Sequence, residues 1–255
     1  MVLTRVNPKW MYIHALRGNP FIHFNLSTFG VQHQIPYEFM KSYNDLPADK
    51  YQIDTESRID NCQDDEFPAR SRRYAKLSID VQDNYEYTIT NTHSSTFEQN
   101  VDDGRSVKRV FEPIDEFHLY QPWILEFLTQ ITALSVLNHN YHKGNRLIKS
   151  ADAHIHQVRQ TSYGSMESHN SPEGIHRDGS DYIVSALIIH RNNVNGGESI
   201  IYNKHKQMVY KTILDDKEGI YQEDTDQWHY VSPISTRGQG LGFRDILGID
   251  ITLRT

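Results

Sequence analysis

From residue 152 to its C-terminus the chain is a succession of short β-rich segments, and this pattern constrains the fold more than any other feature. Residues 154–160, 182–190, 199–202, 208–214, 228–234 and 243–252 are rich in Val, Ile, Leu, Tyr and Phe and are divided by turn residues, with Asn195-Gly196-Gly197 as the strongest turn signal. Each segment is too short to bury an apolar face alone, so such a series must close into a sandwich or barrel; a double-stranded β-helix (jelly roll) is the predicted core. Upstream, Tyr74–Val81 alternates apolar and polar residues as a half-buried strand does. Gly18-Asn19-Pro20 marks a turn, residues 36–46 a helix, and residues 54–66 a polar stretch.

Pro122 opens the clearest helix, where its missing N–H is tolerated. Ile124, Phe127, Leu128, Ile131 and Leu134 form one stripe running to about Leu137, the signature of a core helix laid against a sheet. The expected architecture is therefore α+β, mainly β. It is a single domain over residues 1–255, with N-terminal elements and a supporting helix in 1–150 packed outside a jelly-roll core in 151–255 that carries the site.

Composition narrows the function classes. No stretch approaches the roughly 20 apolar residues of a membrane span, and the first residues lack the apolar run of a signal peptide. Cys62 is the only cysteine, so no internal disulfide forms, which fits a reducing cytoplasm. A net charge of −7 with no long basic patch argues against nucleic acid as a partner.

The chemistry-bearing residues cluster late. His176-Arg177-Asp178 precedes the apolar segment 182–190, His229 lies between aromatics in Trp228-His229-Tyr230, and Arg244 stands inside an apolar strand 15 residues later. With 14 His and 33 acidic residues in 255, about two His-x-(Asp/Glu) pairs are expected by chance, so the pair alone reads as a surface loop before it reads as a ligand pair. His229 alone reads as a packed strand histidine. Two imidazoles and one carboxylate together would leave open positions on a metal, the 2-His-1-carboxylate arrangement suited to non-haem Fe(II). An inward Arg244 must find an anion, because an unpaired buried charge is costly. Asp245 is a poor partner, since successive strand residues face opposite sides.

Taken in order, His156-Gln-Val-Arg159, Ser171-Pro-Glu-Gly-Ile-His-Arg-Asp178, Gly196-Gly-Glu-Ser199, His229-Tyr-Val-Ser-Pro233 and Phe243-Arg-Asp-Ile-Leu247 resemble the Fe(II)/2-oxoglutarate-dependent dioxygenases, in the branch that includes bacterial L-isoleucine 4-hydroxylases. Weaker likeness reaches upstream through Ala69–Tyr74, Asp102-Asp-Gly104 and Leu119–Pro122, whereas the first 60 residues match poorly. The resemblance implies that His176, Asp178 and His229 bind Fe(II) and that Arg244 pairs with the distal carboxylate of 2-oxoglutarate. It implies oxidative decarboxylation of 2-oxoglutarate to succinate and CO2, with O2 consumed and an unactivated C–H of a free amino acid hydroxylated.

Further candidates are Arg159 and Tyr163 for the cosubstrate, and Arg70, Arg73, Gln157 and Gly179 for the substrate. The arginine run Arg70, Arg72, Arg73 is the only local basic cluster, and one of its members could clamp an α-carboxylate. Gly179 stands where the isoleucine-hydroxylase-like proteins carry a further acidic residue, so the substrate does not transfer with the resemblance. The polar loop 165–174 is a candidate specificity element. Competing expectations are the same chemistry on a peptide-linked residue or natural-product intermediate, a Zn-dependent hydrolytic site, and a non-catalytic jelly-roll binding protein.

Overall fold

The computed structural model describes residues 1–5, 20–52, 68–83, 86–100, 106–144, 147–171 and 173–255. Cys62, the turn at Gly18-Asn19, the polar stretch 54–66 and the motif at 102–104 lie outside the described residues.

The strands are β1 (Val2–Arg5), β2 (Phe21–Asn25), β3 (Arg70–Val81), β4 (Glu86–Asn91), β5 (Thr96–Asn100), β6 (Ser106–Val110), β7 (Ser150–Tyr163), β8 (Tyr182–Asn192), β9 (Val194–Gly196), β10 (Glu198–Tyr202), β11 (Met208–Ile213), β12 (Glu218–Glu223), β13 (Trp228–Val231), β14 (Ile234–Thr236) and β15 (Leu241–Arg254). Helices α1 (Tyr37–Lys41), α2 (Glu116–Leu119) and α3 (Pro122–Lys143) accompany them, with a 3-10 turn at Ser42–Asp45.

An eight-stranded antiparallel sheet runs β1-β4-β3-β7-β15-β8-β12-β2, and a second sheet, β11-β10-β13, opposes it. This is the jelly-roll arrangement predicted from the C-terminal segments. The N-terminal half does more than pack outside it, because β1 to β4 are hydrogen-bonded members of the large sheet. The strand expected over 228–234 is broken into β13 and β14 around Pro233, which has no N–H to give a ladder. Strand β12 was not predicted: Glu-Gly-Ile-Tyr-Gln-Glu lacks alternation, and Gly219 is retained where a Cβ would lie 2.5 Å from the Phe24 ring.

Helix α3 covers one face of the large sheet. Ile124, Phe127, Leu128, Ile131 and Leu134 are fully buried, together with Trp123 on the same helix. The segment after β2 wraps its other side, where Phe29 meets Phe127 edge-on at 5.8 Å and Phe39 meets Trp123 at 4.9 Å. Among the described residues no helix is long and apolar enough to cross a membrane. The helix-covered face is thus the apolar core, which leaves the opposite face of the sheet, looking toward β10 and β13, for polar chemistry.

Candidate active site

The period of two along β15 decides which side chains reach that polar face. Asp245, Leu247, Ile249 and Ile251 fall on one side, the last three in the main core; Arg244, Ile246, Gly248 and Asp250 fall on the other. Register carries the division across the sheet. Gln160, Val158, His156 and His154 of β7 lie opposite those four residues, and Arg70, Arg72, Tyr74 and Lys76 of β3 lie opposite the β7 set. One face therefore collects Arg70, Arg72, His156, Val158, Ile246 and Asp250 around a cavity of about 460 Å³ that His176, Asp178 and His229 also line.

Backbone pairing joins the two histidines. His176 N–H donates to the His229 carbonyl at 3.0 Å and His229 N–H donates back to that of His176 at 2.9 Å, which places the imidazole centroids 4.3 Å apart. Asp178, two residues on, presents its carboxylate to both: Oδ1 lies 3.7 Å from His176 Nε2 and Oδ2 lies 3.4 Å from His229 Nε2. One ligand atom from each of the three residues lies within 4.8 Å of the others, so the set could hold a metal ion.

The surroundings favour that chemistry. His176 Nδ1–H donates to the Gly174 carbonyl at 2.9 Å, which leaves Nε2 with its lone pair on the carboxylate side. The turn carrying Asp178 is held by Asp224, whose carboxylate accepts the N–H groups of Asp178, Gly179 and Ser180 at 3.3, 2.7 and 3.2 Å. Burial, reinforced by Asp250, pushes the Asp178 carboxyl up to about 7. Burial and then Asp178 push that of Asp224 to about 8. Burial also holds the His229 imidazole well below its ordinary value, with His176 adding to it. At His176 burial acts downward, but the carboxylates of Asp178 and Glu173 outweigh it and raise it. A crowded set of buried carboxylates beside a neutral imidazole is a place where a divalent cation relieves repulsion.

Arg244 is fully buried between Gln160 and Arg191 on the neighbouring strands. Nη1 donates to Gln160 Oε1 at 3.3 Å, while Nε and Nη2 have no hydrogen-bond partner among the described residues. Burial, with Arg191 beside it, lowers the guanidinium to about 9. Gly197 gives the arginine its room, since a Cβ there would lie 3.3 Å from Arg244 Cδ and 3.4 Å from Nε. A buried guanidinium with two unsatisfied nitrogens is suited to a carboxylate supplied from outside the chain.

Several residues singled out in the sequence do not reach this cavity. Arg159 and Gln157 share a face, but it is the opposite one. Arg159 makes a two-point ion pair with Asp245, at 2.6 and 2.7 Å, and reaches Asn44 at 2.7 Å; Gln157 donates to Ser42 Oγ at 2.7 Å. Arg73 also points that way, donating to the Pro113 and Asp45 carbonyls. Tyr163 is 52% exposed at the end of β7 and does not line the cavity. Gly179 serves through its backbone, with φ +85° and its N–H on Asp224. Arg70 does line the cavity, but Asp49 Oδ2 holds its Nε at 2.8 Å.

The structure adds Asp224, Arg109 and Asp250, which no motif marked, together with Arg72 of the basic run and His156 of the His156-Gln-Val-Arg159 motif, neither of which the motifs assign a role in the site. It also adds Glu173, whose Oε1 lies 3.2 Å from His176 Nε2 at the end of the polar loop.

Comparison with known proteins gives the family and the fold. The family described as 2OG-Fe dioxygenase matches residues 40–250. The L-isoleucine-4-hydroxylase of Bacillus thuringiensis is 28% identical over 200 residues, which span 76% of this chain and 80% of the relative. Two solved structures share the fold. A bsmA homologue from Methylobium petroleophilum has a TM-score of 0.73 at 19% identity, covering 93% of this chain and 90% of that one. IDO from Bacillus thuringiensis has a TM-score of 0.71 at 18% identity, covering 97% and 99%. With the family matched over most of its length, the chain belongs to the 2OG-Fe dioxygenases, and its cofactors are Fe(II), 2-oxoglutarate and O2.

Proposed function

We propose that the protein hydroxylates an unactivated C–H of a free, small or aliphatic amino acid, with His176, Asp178 and His229 holding Fe(II) and Arg244 holding the distal carboxylate of 2-oxoglutarate. The observation that carries the reading is the convergence of the three ligand atoms within 4.8 Å at the cavity, with the buried, under-satisfied Arg244 on the same side of β15 as the cavity-lining Ile246, Gly248 and Asp250, although it does not itself line the cavity. Bound there, the iron and cosubstrate supply oxidative decarboxylation to succinate and CO2 coupled to insertion of one oxygen atom into the substrate.

The chain's own part is positioning. The mutual backbone bonds of His176 and His229 set the ring separation, Gly174 fixes the His176 tautomer, and Asp224 holds the turn that aims Asp178. Gln160 orients Arg244 from the next strand. Val158, Ile175, Val184 and Ile246 give the cavity apolar lining, which suits an aliphatic side chain and keeps water from the reacting carbon. The relative's printed substrate, L-isoleucine, is the first to try.

The experiment is succinate formation from 2-oxoglutarate with Fe(II), ascorbate and O2 across the free L-amino acids, read with the mass of each product. Succinate rising with one amino acid, and a gain of one oxygen in it, supports the reading. Equal succinate in every well moves the substrate to a peptide or a biosynthetic intermediate.

A further inference from the structure

The cavity beside His176, Asp178 and His229 carries cationic side chains of its own, on β3 and the β5–β6 hairpin, apart from Arg244, which does not line it. Four arginines line the cavity: Arg70, Arg72, Arg109 and Arg177. Arg70 is ion-paired with the buried Asp49, and Arg177 lies over the Trp228 ring at 4.3 Å with its Nη1 on the Thr225 carbonyl. Arg72 and Arg109 are left without a carboxylate partner among the described residues.

Arg72 is the more constrained of the two. Its guanidinium stacks on Phe111 at 4.4 Å, its Nη2 donates to His156 Nδ1, and its Nε is buried with no partner. His156 passes the contact on, its Nε2–H donating to Asp250 Oδ2 at 3.1 Å. The histidine thus accepts on one nitrogen and donates on the other, and it anchors a single edge of Arg72. Arg109 enters from β6, where it stands opposite Phe97 of β5; the Phe97 ring meets His156 edge-on at 4.6 Å. The hairpin therefore seats Arg109 over the chain that fixes Arg72. Burial and then Arg70 lower the Arg72 guanidinium, Asp49 and Asp250 act against that shift, and Arg109 adds a smaller lowering. A carboxylate placed between two neighbouring guanidiniums would relieve their repulsion, and it matches their donor geometry.

We propose that Arg72 and Arg109 clamp the carboxylate of the substrate, with His156 and Asp250 as positioning residues behind Arg72. This inference deepens the amino-acid hydroxylase reading and rests on it for the identity of the anion. It makes a free carboxylate the feature by which substrates are admitted, and so excludes residues inside a peptide. It also separates the two acids: 2-oxoglutarate toward the buried Arg244, substrate on the hairpin side of the cavity.

The test uses the full chain loaded anaerobically with Fe(II) and 2-oxoglutarate. Its thermal midpoint is followed with L-isoleucine, L-leucine, L-valine and L-isoleucinamide, alongside aerobic succinate formation. A free acid should raise the midpoint and the amide should not. Arg109→Gln, on the half-exposed hairpin, and Arg72→Gln should each weaken that response at least tenfold while keeping the response to 2-oxoglutarate, and Arg72→Lys should recover part of it. The clamp is overturned if acid and amide act alike, if both variants respond as the parent does, if no free acid binds, or if the variants lose 2-oxoglutarate instead. Binding of the acids without succinate would leave the clamp standing and remove the hydroxylase reading.

Discussion

His176 and His229 exchange both of their backbone hydrogen bonds, at 3.0 and 2.9 Å, although 53 residues separate them in the chain. This isolated antiparallel bridge fastens the loop before β8 to strand β13 at the point where two imidazoles are needed side by side. The site is thus assembled from a loop and a strand whose relative position rests on main-chain bonds, while the side chains remain available to a ligand.

Asp224 carries the same logic to the carboxylate. Asp224→Ala removes the acceptor for three backbone N–H groups around Asp178, so the aspartate loses its aim while all three ligands remain present. Metal affinity should fall about 10- to 100-fold, the usual effect of removing a supporting partner. Titration with Mn(II) as an Fe(II) surrogate, followed by EPR, measures this, and unchanged affinity would show that the turn holds itself.

Arg244 gives a prediction of opposite signs in two assays. Arg244→Met removes a buried cation with two unpartnered nitrogens, so the metal-free protein should be more stable, by about 1 kcal/mol or more. If Arg244 holds 2-oxoglutarate as proposed, the same variant should lose charge-assisted hydrogen bonds to it, about 1.5–3 kcal/mol or roughly 10- to 100-fold in Kd. Denaturant unfolding and cosubstrate titration on one preparation check both; lower stability with unchanged 2-oxoglutarate affinity would place the arginine in the scaffold.

Gly197 is the counterpart of that arginine. Its φ is +69°, and an added Cβ would lie 3.1 Å from Ile234 Cγ2 and 3.3 Å from Arg244 Cδ. Gly197→Ala should cost about 1–3 kcal/mol from the left-handed backbone alone. It should also raise the Kd for 2-oxoglutarate by crowding the guanidinium. The combined loss is read by chemical denaturation and by 2-oxoglutarate titration of the folded variant.

How much of this was legible in the sequence differs strand by strand. The polar side of β15 could be read because Leu247, Ile249 and Ile251 mark the core face and leave Arg244 opposite them. β7 could not be read in that way: His154, His156, Gln157, Arg159 and Gln160 put polar groups on both faces, so period two groups Arg159 with Gln157 without saying which side meets the cavity. Arg159 goes to the other side, where Asp245 sits across the ladder. In the basic run, the period of two sets Arg73 on the face opposite Arg70 and Arg72, but which of the two sets meets the cavity is decided by pairing with β7. Asp224 is linked to Asp178 only through the fold, 46 residues away, and no local pattern announces such a bond.

Acid should weaken the fold through His154. Burial lowers its imidazole to about 4, with Asp250 acting against that shift and His156 with it, while Tyr74 Oη is held at 2.7 Å from Nδ1. Above about pH 6.5 both folded and unfolded forms are neutral at this site and it contributes no pH dependence. Below that the unfolded chain binds the proton first, so stability falls as pH drops toward 4, by on the order of 2 kcal/mol. His154→Gln should flatten that part of the curve, measured as unfolding free energy against pH for the two proteins; parallel curves would assign the acid sensitivity elsewhere.

The most direct measurement is the visible charge-transfer absorbance that forms when 2-oxoglutarate is added anaerobically to the Fe(II)-loaded protein. The account predicts that the band appears in the parent protein, is abolished in His176→Ala, Asp178→Ala and His229→Ala, and needs higher 2-oxoglutarate in Arg244→Ala. A band that persists at full strength in the three ligand variants would contradict the assignment of the iron to His176, Asp178 and His229.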